Sequence, residues 1–177
     1  MSDRDKTVPK NPYIIIGSLC IIAVAFIIIY GIWRCKNEKF VDPLTFTLIG
    51  GPEMKDFTDG WGLIHFTFYA LLTYFFPQYY LQIFFVGVGW EVIESMSKGK
   101  PFYVSSCNVT INTDHSDFTE WWSGRWQDIV MNTLGQLFGY SLRKLGVSWI
   151  IFPIMYVSIF VAAFFKAGII QEYLNKN

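Results

Sequence analysis

Apolar and polar residues fall along this chain in long blocks. From Tyr13 to Trp33 there is no charged residue, and about 20 such residues are enough to cross the hydrocarbon core of a bilayer. Tyr13, Tyr30 and Trp33 stand near its two ends, where aromatic side chains settle at a membrane–water interface. Its length, the lack of a small-x-small cleavage site and the closing Trp33-Arg34 favour an uncleaved anchor over a signal peptide. Residues 1–12 ahead of it are mainly polar and contain Pro9, which reads as a flexible tail. Residues 34–58 form a connection with turn signals at Asp42-Pro43 and Gly50-Gly51-Pro52. Inside it Leu44–Ile49 (LTFTLI) alternates, as would a short strand or an amphipathic segment lying at an interface.

A second apolar block predicts a helix from about Asp59–Trp61 to Phe76-Pro77, with Thr58 or Asp59 as its N-cap. It is short for a full span. Trp61, His65, Tyr69 and Thr73 recur every four residues and share one face. Pro77-Gln78 breaks it. A third helix runs from Tyr79 to about Ser97, with Gly87 and Gly89 allowing close contact with a neighbour and Glu91 and Glu94 one turn apart near its end. Residues 98–124 are a longer polar connection whose Phe102–Ile111 stretch has the composition of a strand hairpin. The fourth helix, from about Trp126 to Leu142, carries a stripe: Arg125, Asp128, Asn132 and Gln136 at helical spacing, with Gly135 and Gly139 beside it. A fifth runs from Val147 to about Phe165, with an outer limit near residue 170, and Pro153 kinks it or sits in its first turns.

The predicted fold is therefore an all-α polytopic transmembrane bundle of about five spans, with one longer polar loop at 98–124. Residues 13–33 form the anchor, 59–142 the central three helices, and 147–170 the last helix. A charged side chain facing lipid is costly, so the stripes of helices two, three and four should turn toward one another. Helices two and three are expected to be antiparallel around a tight Pro77 turn. That topology gathers His65, Glu91, Glu94, Arg125 and Asp128 at one membrane face.

Composition supports a membrane setting. The chain of 177 residues is 53% apolar, 19% aromatic and only 16% charged, where soluble domains carry about a quarter charged residues. Its formal net charge of zero excludes the basic surface of a nucleic-acid binder. Heavy use of Ile, Phe, Tyr, Asn and Lys suits an AT-rich genome, as in a protist or a large virus. The three cysteines, Cys20, Cys35 and Cys107, make no disulfide framework; they read as unmodified thiols, against palmitoylation of Cys35 or one disulfide at Cys107. Asn108-Val109-Thr110 is a glycosylation sequon. Five spans would put Arg34, Lys36, Lys39, Lys98, Lys100 and Arg125 on the cytoplasmic side by the charge rule, whereas a modified Asn108 requires the opposite orientation.

The gathered polar group has limited chemistry. Arg125 can hold a phosphate or carboxylate bidentately. His65 with Glu91 or Asp128 can exchange a proton as general acid and base. Glu94, Asn132 and Asp59 complete a binding surface. One His among carboxylates, with no paired ligand motif, points away from a metal, and no cofactor motif is present. Against this stands a structural reading: Arg125 pairs with Glu91, Glu94 or Asp128 to close the bundle, while Asn132 and Gln136 are interhelical glue and the glycines a packing face.

These segments, DGWGLIHFTFY, GWEVIES and GRWQDIVMNTLGQLFG, resemble the VanZ-like membrane protein family, named for a teicoplanin-resistance protein. The resemblance covers about Asp59 to Tyr140 and falls on Asp59, His65, Glu91, Arg125, Asp128, Asn132, Gly135 and Gly139. It departs at Glu94, where many members have Gln, and in the long 98–124 loop. It implies a small multi-pass integral membrane protein whose partners are membrane lipids and which acts on lipid or envelope components, with no assigned reaction. Two expectations follow: a protein that binds or modifies a lipid or phosphorylated amphiphile, or a structural component of a larger membrane assembly, such as a viral or organellar envelope, with protein partners and no catalysis. A small transporter ranks below both, because helices one and five offer nothing ionisable at mid-depth.

Overall fold

The computed structural model describes residues 11–36, 42–45, 47–49, 57–96 and 125–176. The loop expected at 98–124, with its hairpin, Cys107 and the Asn108 sequon, lies outside the described residues. Helix α1, Pro12–Lys36, belongs to a compact unit of its own and is considered by itself. Its 25 residues rise about 37 Å, more than the roughly 30 Å of hydrocarbon core. Ile14, Ile21, Ile22, Phe26 and Ile29 are all exposed along it.

The second unit begins with a 3₁₀ turn, Pro43–Thr45, and a two-stranded antiparallel ribbon of β1, Thr47–Ile49, and β2, Thr58–Asp59. The alternating LTFTLI segment thus divides into a turn and a strand, with Thr47 opposite Asp59. Asp42 is fully buried and ties this connection down: Leu44 N–H donates to its Oδ1 and the Trp61 indole to its Oδ2, both at 2.9 Å.

Helix α2, Gly60–Phe75, starts where expected because the Asp59 carboxylate accepts the Gly62 N–H at 2.9 Å, satisfying one of the free donors of a helix start. It stops at Phe76, since Pro77 has no N–H to continue the ladder and restricts the residue before it. A 3₁₀ turn, Pro77–Tyr79, leads into α3, Tyr80–Met96. The chain turns through 114° there. The tight antiparallel hairpin expected from sequence is therefore an oblique one, but α3 still returns along α2: Gly87 lies against the Tyr69 ring and Glu91 faces His65.

Helix α4, Trp126–Lys144, lies along α2 and runs parallel to it. A Cβ at Gly135 would collide with the Phe66 carbonyl and one at Gly139 with the Ala70 carbonyl. Two glycines four residues apart on one helix thus meet two carbonyls four residues apart on the other. Gly89 has nothing near it, so of the α3 pair Gly87 is the close approach. Helix α4 closes in a Schellman arrangement: Gly146 N–H donates to Arg143 O and Val147 N–H to Leu142 O, with Gly146 at φ 70°.

Helix α5, Ile151–Lys176, carries Pro153 in its first turn and runs back along α2. Ile159, Phe160 and Ala163 pack with Leu44, Trp61, Leu63 and Ile64. At the other end the Tyr74 hydroxyl donates to Val147 O at 2.7 Å, and Arg143 Nη1 donates to Tyr74 O at 3.1 Å.

The structure is mainly helical, as expected. Among the described residues one helix, α1, is long and apolar enough by itself to cross a bilayer. Helix α2 and Pro77–Met96 meet the same standard together as a bent pair, and Ile151–Lys166 is an apolar but shorter stretch. A bundle of five independent spans is therefore not supported by length and composition. Pro77 cuts one apolar block into two short helices, and the polar stripe of α4 takes that helix out.

The second unit is inverted relative to a soluble core. Thr67, Thr73, Glu91, Glu94, Asp128, Asn132 and Gln136 are buried, while Phe85, Ile93, Leu137, Val157, Val161 and Phe165 are exposed. Helix α4 shows it within a few residues, with Asn132 and Gln136 inside and Leu134, Leu137 and Phe138 outside.

Candidate functional site

Four elements of the second unit converge at one end of the bundle: the start of α2, the end of α3, and Arg125 leading into the first turn of α4. Arg125 is the residue before α4, in extended conformation. From there its guanidinium reaches both ways. Nη2 donates to Asp59 Oδ2 at 3.1 Å and Nε to Asp128 Oδ2 at 3.2 Å. Its backbone N–H donates to Glu91 Oε2 at 3.3 Å. One residue thus joins the cap of α2, the last turns of α3 and the first turn of α4.

The electrostatics of this junction follow from burial and pairing. Burial pushes the Asp59 carboxyl above its ordinary range, against the pull of Arg125. Burial would lower the Arg125 guanidinium, but Asp59 and Asp128 outweigh it and hold the group above its usual value. The sequence reading named Asp128 as an Arg125 partner; Asp59 was placed in the binding surface, and the structure makes it the second half of that pairing and the α2 cap as well. In this geometry Arg125 is engaged by two carboxylates.

Deeper in, His65 Nδ1 stands 3.4 Å from Glu91 Oε1. Glu94 is buried one turn along α3, with the Trp90 indole as its hydrogen-bond neighbour. Asp128, Glu91 and Glu94 all lie within electrostatic reach of His65. Gly62 lets the first turn of α2 approach α4: a Cβ there would stand 3.4 Å from Asp128 Oδ1. His65, Glu91, Glu94, Arg125, Asp128 and Asp59 are therefore brought together, as the stripes predicted.

Asn132 and Gln136 occupy the next two turns of the same α4 face and differ sharply. Oriented with its nitrogen toward Tyr80 O, the Gln136 amide donates there at 3.0 Å and accepts from Phe84 N–H at 3.1 Å. Tyr80 O and Phe84 N–H are helical partners in the first turn of α3, so Gln136 bridges a backbone rung. The Asn132 amide is 3% exposed, and neither its nitrogen nor its oxygen has a hydrogen-bond partner. Among the described residues the other buried side-chain atoms without such a partner are His65 Nδ1, Glu91 Oε1 and Asp128 Oδ1, at this same end, and the more distant Thr73 Oγ1. An unmet buried polar atom costs about 1–3 kcal/mol, and native interiors hold few of them.

Two functional contributors escaped the sequence reading. Asp42 anchors Trp61, and with it the start of α2; an Asp-Pro pair ahead of a helix that opens on Trp was the available signal. Gly62 was passed over as a helix-start residue. Among the described residues no three His, Cys, Asp or Glu side chains converge closely enough to hold a metal ion. Comparison with family models, with curated proteins and with solved structures returns no match.

Proposed function

We propose that this chain is a multi-pass integral membrane protein of VanZ-like type whose α2–α3–α4 bundle receives the polar head group of an amphiphile. The head group sits between His65, Glu91, Asp128 and Asn132, with Glu94 behind them. The observation that carries this reading is the set of buried, unpartnered atoms at those four side chains. A membrane setting is supported by the inverted distribution of the second unit, since exposed apolar faces of this extent mark a lipid or protein partner and buried ionisable groups within apolar helices mark function. His65 and Glu91, 3.4 Å apart, form an acid–base pair that can take a proton from a bound group or return it. Arg125 acts here as a positioning residue, since its donors already serve Asp59, Asp128 and Glu91.

The test is native mass spectrometry of the full chain released from mild detergent. The wild type should retain an amphiphile that Asn132→Leu and His65→Ala release, with both variants still folded. Wild-type protein that carries none, from membranes or after lipid is added back, would sink the reading.

The engagement of Arg125 by two carboxylates favours a second reading, a structural component of a membrane assembly with no substrate. It predicts a stoichiometric protein partner on purification and full tolerance of His65→Gln.

A further inference from the structure

We infer that the guest of this site is a primary ammonium head group, hydrogen-bonded to the oxygens of Glu91, Asp128 and Asn132; this rests on the head-group reading above.

The unmet valences set the complement. Three of the unpartnered atoms are oxygens that only accept, Glu91 Oε1, Asp128 Oδ1 and Asn132 Oδ1, and one, Asn132 Nδ2, only donates. A primary ammonium offers three N–H donors and no acceptor. A phosphate is all acceptor and would leave those oxygens facing its own. The carboxylates are 2% and 7% exposed at Glu91 and Asp128, and the amide 3% at Asn132, so water does not readily satisfy them from outside. Asn132 stands between Asp128 and Gln136 on one helix face, each four residues away. Asp128 approaches α2 at Gly62 and Gln136 bonds α3, which aims Asn132 at the seam between them.

Charge selects in the same direction. Asp59, Glu91, Glu94 and Asp128 stand against Arg125 and His65. Arg125 is divided between Asp59 and Asp128, and His65 faces Glu91. With every group ionised the junction holds two more negative than positive charges, and a buried excess of one sign is relieved by a counter-ion. A metal ion fits less well than an ammonium, because the acidic side chains do not converge on a point and a hard cation asks for six or more oxygens.

The test uses the full chain in phosphatidylcholine nanodiscs and four probes: dodecylammonium, dodecyltrimethylammonium, dodecyl phosphate and calcium ion. Binding is measured by titration calorimetry against empty nanodiscs, for the wild type and for Asn132→Leu and Glu91→Gln. Dodecylammonium should bind about tenfold or more tighter than its trimethyl analogue, which keeps the charge and loses every N–H donor, and each substitution should erase that difference. Equal affinity for the two ammonium probes overturns the inference, as does displacement of dodecylammonium by calcium at micromolar concentration. Tighter, Asn132-dependent binding of dodecyl phosphate overturns it while leaving the head-group reading in place. If no amphiphile binds the wild type above empty nanodiscs, both fail. The order of the probes on the wild type decides the matter even if a variant does not fold.

Discussion

One face of α4 contains two regions that look alike in sequence and behave differently. Its far half, Gly135, Gln136 and Gly139, is complete: the glycines sit on the carbonyls of Phe66 and Ala70, and the Gln136 amide has two backbone partners. Its near half, Arg125, Asp128 and Asn132, is strongly tied at the rim and unfinished one turn in. Arg125 fastens Asp59 and Asp128, yet Asp128 Oδ1 and the whole Asn132 amide lack partners. Polar residues buried at regular spacing therefore do not share a role by virtue of sharing a face. What separates glue from site is whether each valence is met by the protein itself.

The difference makes graded predictions. The largest effect belongs to Gly139→Leu. Its side chain would enter the Ala70 carbonyl, and because backbone cannot move aside as a side chain can, the loss should exceed the 1–3 kcal/mol of ordinary overpacking; unfolding in mixed micelles would show no folded fraction. Next comes Arg125→Met, which strands two carboxylates and should cost about 3–5 kcal/mol. Arg125→Lys should recover less than half of that in the same unfolding assay, because one ammonium cannot reproduce the fork that spans Asp59 and Asp128. Gln136→Leu should cost about 1 kcal/mol, since Tyr80 O and Phe84 N–H can then bond each other. Asn132→Leu should be neutral or mildly stabilising in the empty protein, as no hydrogen bond is lost. A destabilisation by Asn132→Leu equal to that of Gln136→Leu would erase the distinction between the halves.

Much of this arrangement was readable from spacing alone. The Asp59 cap, the break at Pro77, the meeting of His65 with Glu91, and the placement of Arg125 at the start of α4 all follow from helical period and chain order, because period fixes faces and order fixes ends. The angle of 114° between α2 and the segment after Pro77 was not readable, since it depends on how Gly87 seats against the Tyr69 ring. Nor was the pairing of Thr47–Ile49 with Thr58–Asp59, because three residues of alternation fit several environments. Asn132 and Gln136 were indistinguishable beforehand: two amides four residues apart carry the same pattern, and only the opposing backbone shows which of them is satisfied.

The bond from the Arg125 N–H to Glu91 spans 34 residues of chain. At a synthesis rate of about 5–20 residues per second, Glu91 emerges some 2–7 seconds before the residue that secures it. During that interval α2 and α3 are present without the glycine face of α4, and His65 is the one cationic partner named here that Glu91 can find. The bundle is thus assembled by its last-made member, and a chaperone or insertase that shelters α3 should release it only once Arg125 has emerged.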